Sequence, residues 1–127
     1  MLQPNNQTAI YCRTAHFDNE GFVIECQKQR MLRYADEHGM CNPVFYIDDG
    51  FSGLTLERPS FLEMQAAIVK GHVKTVLALN LSRIGRNSFE VLSWIDETEK
   101  QGVRVVIADT PDLSGLCRLA SQIGGVL

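Results

Sequence analysis

The chain has no long hydrophobic run. Its strongest, Val76-Leu77-Ala78-Leu79 and Val105-Val106-Ile107-Ala108, fall far short of the roughly 20 residues a membrane-spanning helix needs. The opening Met1 to Asn6 lacks the basic-then-apolar order of a secretory signal, which predicts a cytoplasmic setting. Cysteine is sparse: Cys12, Cys26, Cys41 and Cys117 show no C-x-x-C spacing and no histidine tract, so neither a zinc site nor a disulfide scaffold is supported. An excess of basic charge is also missing. Twelve Lys plus Arg against fifteen Asp plus Glu give a net charge of −3, which excludes coating of nucleic acid by bulk electrostatics and requires any polyanion site to be local. No repeat, low-complexity tract or Pro/Gly/Ser linker divides the 127 residues, so residues 1–127 are read as one domain.

What the sequence has is alternation of strand-like and helix-like stretches. Thr8 to Arg13 reads as a strand and a long helix ends at Gly39, with Ile24, Gln27, Met31, Tyr34, Ala35 and His38 on one stripe. Val44 to Ile47 is a second strand, followed by the acidic turn Asp48 to Gly53. A helix opens at Pro59, carries Phe61, Met64, Ala67 and Ile68 inward, and closes at Lys70-Gly71. Val73 to Leu79 is the third strand and Asn80 to Arg86 a loop. Asn87 caps the next helix, with Glu90 three residues on and Val91, Leu92 and Ile95 inward. Val103 to Ala108 is the fourth strand, and a short helical tail begins at Pro111. Strands joined by helices pair in parallel, with helices on both sheet faces. The expected fold is a small open α/β sheet of about four mainly parallel strands, whose ligand site lies beyond the strands' carboxyl ends.

That rule selects Arg13 to His16, Asp48 to Gly53 and Asn80 to Arg86, and so gathers Arg13, Arg83 and Arg86 near one rim, with Arg58 just beyond. Forked guanidinium donors suit phosphoryl oxygens and can stabilise charge growing on them. The competing reading pairs these arginines with Asp48, Asp49 or Glu57 as surface ion pairs. Charge is segregated along the chain: eight acids and three bases lie between Asp18 and Glu57, and four bases with no acid between Lys70 and Arg86. That pattern fits a solvated face as well as a binding site. His38 and His72 lie beside Gly39 and Gly71 and read as C-terminal-turn residues.

The motifs resemble the catalytic domain of the serine recombinases, the resolvases, invertases and especially the large integrase and transposase branch. The resemblance spans about Ile10 to Asp109. It is carried by Tyr11-Cys12-Arg13-Thr14-Ala15 against Y-x-R-[VT]-S, by the Gly21-Phe22 to Gln27 segment, and by Tyr46-Ile47-Asp48-Asp49-Gly50-Phe51-Ser52-Gly53. Glu57-Arg58-Pro59 follows, then Leu81-Ser82-Arg83-Ile84-Gly85-Arg86 against L-D-R-[LI]-[SG]-R. The resemblance implies DNA strand exchange without a cofactor, in which a serine attacks a backbone phosphate and becomes joined to the 5′ end. It implies Arg13, Arg83 and Arg86 as the phosphate clamp, and Arg58 as a further phosphate or interface arginine. Tyr11, Gln27, Asp48, Ser52 and Gly53 become supporting residues, and partners are DNA and a recombinase-type homo- or hetero-oligomer.

Two departures weigh against activity. Ala15 stands where the family has its nucleophile, and a methyl group cannot attack phosphorus. Ser82 stands where the family has an acid, and Asn80 replaces a lysine often found two residues earlier. Thr14 and His16 are the neighbours that could substitute, but strand alternation turns Thr14 to the face opposite Arg13. The long helix and DNA-binding region that normally follow the domain are expected to be missing. The alternatives are a non-catalytic module for a partner or DNA phosphates, and a phosphate-responsive domain with Asp48 or Asp49 as acceptor.

Overall fold

The computed structural model describes residues 6–15 and 22–109. Four strands, β1 (Gln7–Thr14), β2 (Pro43–Asp49), β3 (Val73–Ala78) and β4 (Arg104–Ile107), form one sheet in the order β2-β1-β3-β4 with every neighbouring pair parallel. Four helices connect them: α1 (Phe22–Glu37), α2 (Pro59–Val69), α3 (Leu81–Ile84) and α4 (Ser88–Lys100).

Period-two alternation along β1 sets the layers. Ala9 and Tyr11 point to one face and pack with Phe61, Met64 and Ile68 of α2 and Val91, Trp94 and Ile95 of α4. Ile10 and Cys12 point to the other and pack with Ile24, Met31 and Ala35 of α1. The two central strands are buried along nearly their whole length, which explains their unbroken apolar character. Because β1 is followed by β2 on one side and β3 on the other, with α1 and α2 on opposite faces, the chain diverges between β1 and β3. In sheets of this kind ligands bind at such a divergence, beyond the carboxyl ends of the strands.

Several sequence expectations need correction. β2 extends through Asp48 and Asp49, which pair in register with Arg13 and Thr14 rather than forming a turn. Asn80 to Arg86 is not a plain loop: Asn80 caps α3, its Oδ1 accepting from the Arg83 N–H at 3.2 Å. His38 does not join the packed stripe of α1: it lies just past Glu37, exposed and stacked on Tyr34 at 3.9 Å, where the chain turns at Gly39 with φ of 66°. Its Nδ1 lies 2.8 Å from the Tyr34 carbonyl, as a C-terminal-turn residue would. Trp94, missed as a core residue, is buried beside Phe61, and its indole N–H donates to Gln65. The tail expected from Pro111 lies outside the described residues.

Candidate phosphate-binding site

The site is built where β1 outruns β3. Their pairing ends at Tyr11 and Ala78, yet β1 continues to Thr14. The amide of Gln27, from the buried face of α1, takes up both peptide groups of Arg13: Oε1 accepts from the Arg13 N–H at 3.3 Å and Nε2 donates to its carbonyl at 3.0 Å. This is why a polar residue sits on an otherwise apolar stripe, buried without penalty because its amide is bonded at both ends.

Arg13 is almost wholly buried, and its guanidinium donates to three backbone carbonyls. Nε reaches Arg83 at 3.0 Å, Nη1 reaches Phe51 at 2.9 Å and Nη2 reaches Ser82 at 2.5 Å. Arg83 reciprocates, its Nη1 donating to the Arg13 carbonyl at 3.1 Å. Arg58, 1% exposed, lies against the rings of Tyr11 and Phe61 and donates to Thr55 and Ile84 carbonyls and to the Tyr11 hydroxyl. The acids are used differently from the surface ion pairs considered above. Asp48 accepts from the Tyr11 hydroxyl at 2.7 Å and from the N–H groups of Ser60 and Phe61, capping α2 from a neighbouring strand. Asp49 accepts from the Thr14 hydroxyl, which itself accepts from the Gly50 N–H.

Arg13, Arg58 and Arg83 therefore meet around shared acceptors, and Arg86 joins them. A Cβ built on Gly53 would lie 2.6 Å from Arg86 Cγ and 2.8 Å from Arg13 Nη2, so only glycine allows the three segments to close. The Arg86 N–H donates to the Gly53 carbonyl at 2.8 Å. Burial, then the charge of Arg58 and less strongly those of Arg83 and Arg86, draw the Arg13 guanidinium below its usual range. Burial, reinforced by the bond to Asp48, pushes the Tyr11 phenol well above its ordinary 10.0 and keeps it a neutral donor. Arg83 Nε is buried with no hydrogen-bond partner among the described residues.

The rim groups are exposed. Ala15 lies just past β1, Ser52 lies in the segment that follows β2, and Arg86 lies two residues past α3. Ser82 is also exposed, its hydroxyl donating to Asn80 Oδ1 at 2.6 Å. His16 lies outside the described residues. Sequence reading named Asn80, Thr14 and Asp49 but gave them other roles: Asn80 caps α3, and Thr14, bonded to Asp49 and to the Gly50 N–H, fastens the end of β2 to β1. An Asn before a short apolar segment was the available signal for the first. Among the described residues no group of three or more His, Cys, Asp or Glu side chains comes together to hold a metal ion, and no helix is long and apolar enough to cross a membrane.

The chain is similar to known proteins in sequence and fold. A family model described as the resolvase N-terminal domain matches residues 8–119. A crystal structure of the N-terminal catalytic domain of TP901-1 integrase superimposes with a TM-score of 0.82 at 28% identity, covering 94% of this chain and 95% of that one. A resolvase family site-specific recombinase from Streptococcus pneumoniae does so with a TM-score of 0.73 at 26% identity, covering 94% and 86%. A Bacillus subtilis (strain 168) protein named "Putative DNA recombinase" is 27% identical over 103 residues, covering 80% of this chain. The chain matches only 20% of the length of that relative.

Proposed function

The chain belongs to the resolvase N-terminal domain family, a site-specific recombinase-type domain, and from that premise we propose that it keeps the family's hold on DNA phosphate but has lost its covalent chemistry. The observation that carries the reading is the convergence of Arg13, Arg83 and Arg86 on one pole at the carboxyl end of β1, with Ala15 the exposed residue that follows the strand. Guanidinium groups that can stabilise a phosphoryl transition state accelerate nothing when no oxygen is available to attack. Thr14 offers no replacement, since its hydroxyl is engaged by Asp49 and Gly50. Ser82 at the family's acidic position removes a carboxylate that could handle a proton or orient an arginine.

The roles within the pole divide by burial. Arg83 and Arg86 carry the contact with phosphate, Arg86 because it is exposed with no ion-pair partner among the described residues. Arg13 holds the carbonyls of Phe51, Ser82 and Arg83 in place and adds its charge from beneath. Arg58, Tyr11, Asp48, Gln27 and Gly53 keep the loops closed, and Ser52 lies at the rim. The partners are DNA and other recombinase-type subunits.

A denaturing gel of the domain within a full-length recombinase, mixed with labelled recombination-site DNA, tests the reading. The native sequence is expected to give no covalent adduct, and Ala15→Ser with Ser82→Asp is expected to give one. An adduct from the native sequence overturns the loss of chemistry, and none from the double variant overturns the preserved site. Arg86, exposed and without an ion-pair partner among the described residues, also favours a second reading, a non-catalytic module that binds DNA phosphates or pairs with an active recombinase. It predicts salt-sensitive DNA binding lost on replacing Arg83 and Arg86, whatever the outcome at position 15.

A further inference from the structure

The segment joining β2 to α2 treats its large apolar side chains differently. Leu56 packs against the core, whereas Phe51 is 39% exposed and Leu54 74%, and neither belongs to the packed clusters on the two sheet faces. A lone surface hydrophobe is commonplace; what sets Phe51 apart is how it is held. Its N–H donates to the Thr14 carbonyl at 2.9 Å and its carbonyl accepts from Arg13 Nη1 at 2.9 Å, so its backbone is tied both to the end of β1 and to the arginine pole. Gly50, with φ of 84° and its N–H on the Thr14 carbonyl and hydroxyl, fixes how the chain enters. An exposed ring on a backbone already fixed loses little freedom when a ligand covers it. We infer that Phe51 is a stacking platform for an unpaired nucleobase whose phosphate lies on the arginine pole. The inference rests on the phosphate reading above and names the form of nucleic acid that the pole takes.

The choice of a nucleobase rests on what lies beside the ring. Gly53, two residues on from Phe51, lies against both Arg86 and Arg13, so ring and guanidinium groups share one short segment. Arg86 is exposed and has no ion-pair partner among the described residues. A nucleotide joins an anion to a flat π-face by covalent bonds, and so meets both features with one ligand. An apolar protein side chain would cover the ring and leave the arginines unmatched; a free phosphate would answer the arginines and leave the ring bare. Inside a duplex both faces of each base are already stacked on neighbours, so the ring is of use only where a base is unpaired. Every base has such a face, and the preference is therefore for structure rather than for sequence.

Fluorescence anisotropy of the chain at low salt, with two labelled duplexes that differ at one position, tests the inference. One duplex carries a single unpaired base in a bulge and the other an abasic nucleotide at the same place, so both have the same number of phosphates. The native chain should bind the base-bearing duplex about tenfold more tightly. Phe51→Ser, and Phe51→Leu, which keeps an apolar side chain but no ring, should each abolish the difference, and Phe51→Trp should keep it. Arg86→Ala should weaken both duplexes alike and lower the salt slope by about one, leaving the difference in place. Equal affinity of the native chain for the two duplexes overturns the stacking and leaves the phosphate pole standing, and that comparison needs no variant to fold. A difference that survives Phe51→Ser and Phe51→Leu also overturns the stacking alone. Binding to neither duplex, or binding indifferent to Arg86→Ala, overturns both the pole and the platform.

Discussion

Tyr11 is the residue on which the buried polar network turns. Its hydroxyl donates to Asp48 and accepts from Arg58, so one neutral group links an anion that caps a helix to a cation that holds the α3 segment. Tyr11→Phe leaves both partners one bond short, and urea unfolding should register a loss of about 1–3 kcal/mol. Because folding raises the phenol above its ordinary 10.0, its contribution is intact below that pH and is lost as pH rises further, when the unfolded tyrosine ionises and the folded one does not. Stability should therefore fall on titration above pH 10, less steeply in Tyr11→Phe. Burial likewise pushes the Cys12 thiol up to about 12, against small opposing effects of Lys28 and Arg83. Iodoacetamide at pH 8 should alkylate exposed Cys26 and Cys41 and leave Cys12 unmodified until the protein is denatured, as read by peptide mass spectrometry.

Between elements, the contacts that matter are made by single side chains reaching across. Arg58, the residue before Pro59, makes no capping bond; the cap comes from Asp48 of β2, with Ser60 Oγ also donating to the Ile47 carbonyl. Asp48→Ala should cost about 1–2 kcal/mol in thermal or chemical unfolding, with α2 losing amide-exchange protection first at its N-terminal turn. The turn after β2 is held on one side by Thr14 and on the other by the absence of a side chain at Gly53. Gly53→Ala places a methyl against Arg86 Cγ and Arg13 Nη2, and overpacking of this kind costs about 1–3 kcal/mol. Its melting temperature should drop, and stabilisation by inorganic phosphate should weaken with it.

At the scale of the molecule, a chain of net charge −3 carries one pole where Arg13 and Arg58 both donate to the Arg83 carbonyl, Arg83 donates to the Arg13 carbonyl, and Arg86 remains exposed without an ion-pair partner among the described residues. Like charges held together are relieved by an anion. Inorganic phosphate should raise the melting temperature more than chloride at equal ionic strength, and Arg86→Ala should remove most of the difference. An equal rise in the variant would place the anion elsewhere.

The sequence by itself determined the order of the four strands and of the helices α1, α2 and α4, most of their inward faces and the three segments that converge, but not α3. Hydrophobic periodicity and Gly, Pro and Asn punctuation are local signals, and the rule that ligands bind at strand ends needs only that order. Only the tertiary structure decided how the arginines are used. Arg13 and Arg58 look like Arg83 and Arg86 in the sequence, yet burial turned the first two into carbonyl-bonded struts and left Arg86 at the rim. In the same way Asp48 became a helix cap, and Gln27 became a substitute for the strand partner that β1 outruns. Hydrogen-bond partners distant in the chain are set by which backbone groups the sheet leaves unpaired, and that is fixed only once the strands have chosen their neighbours.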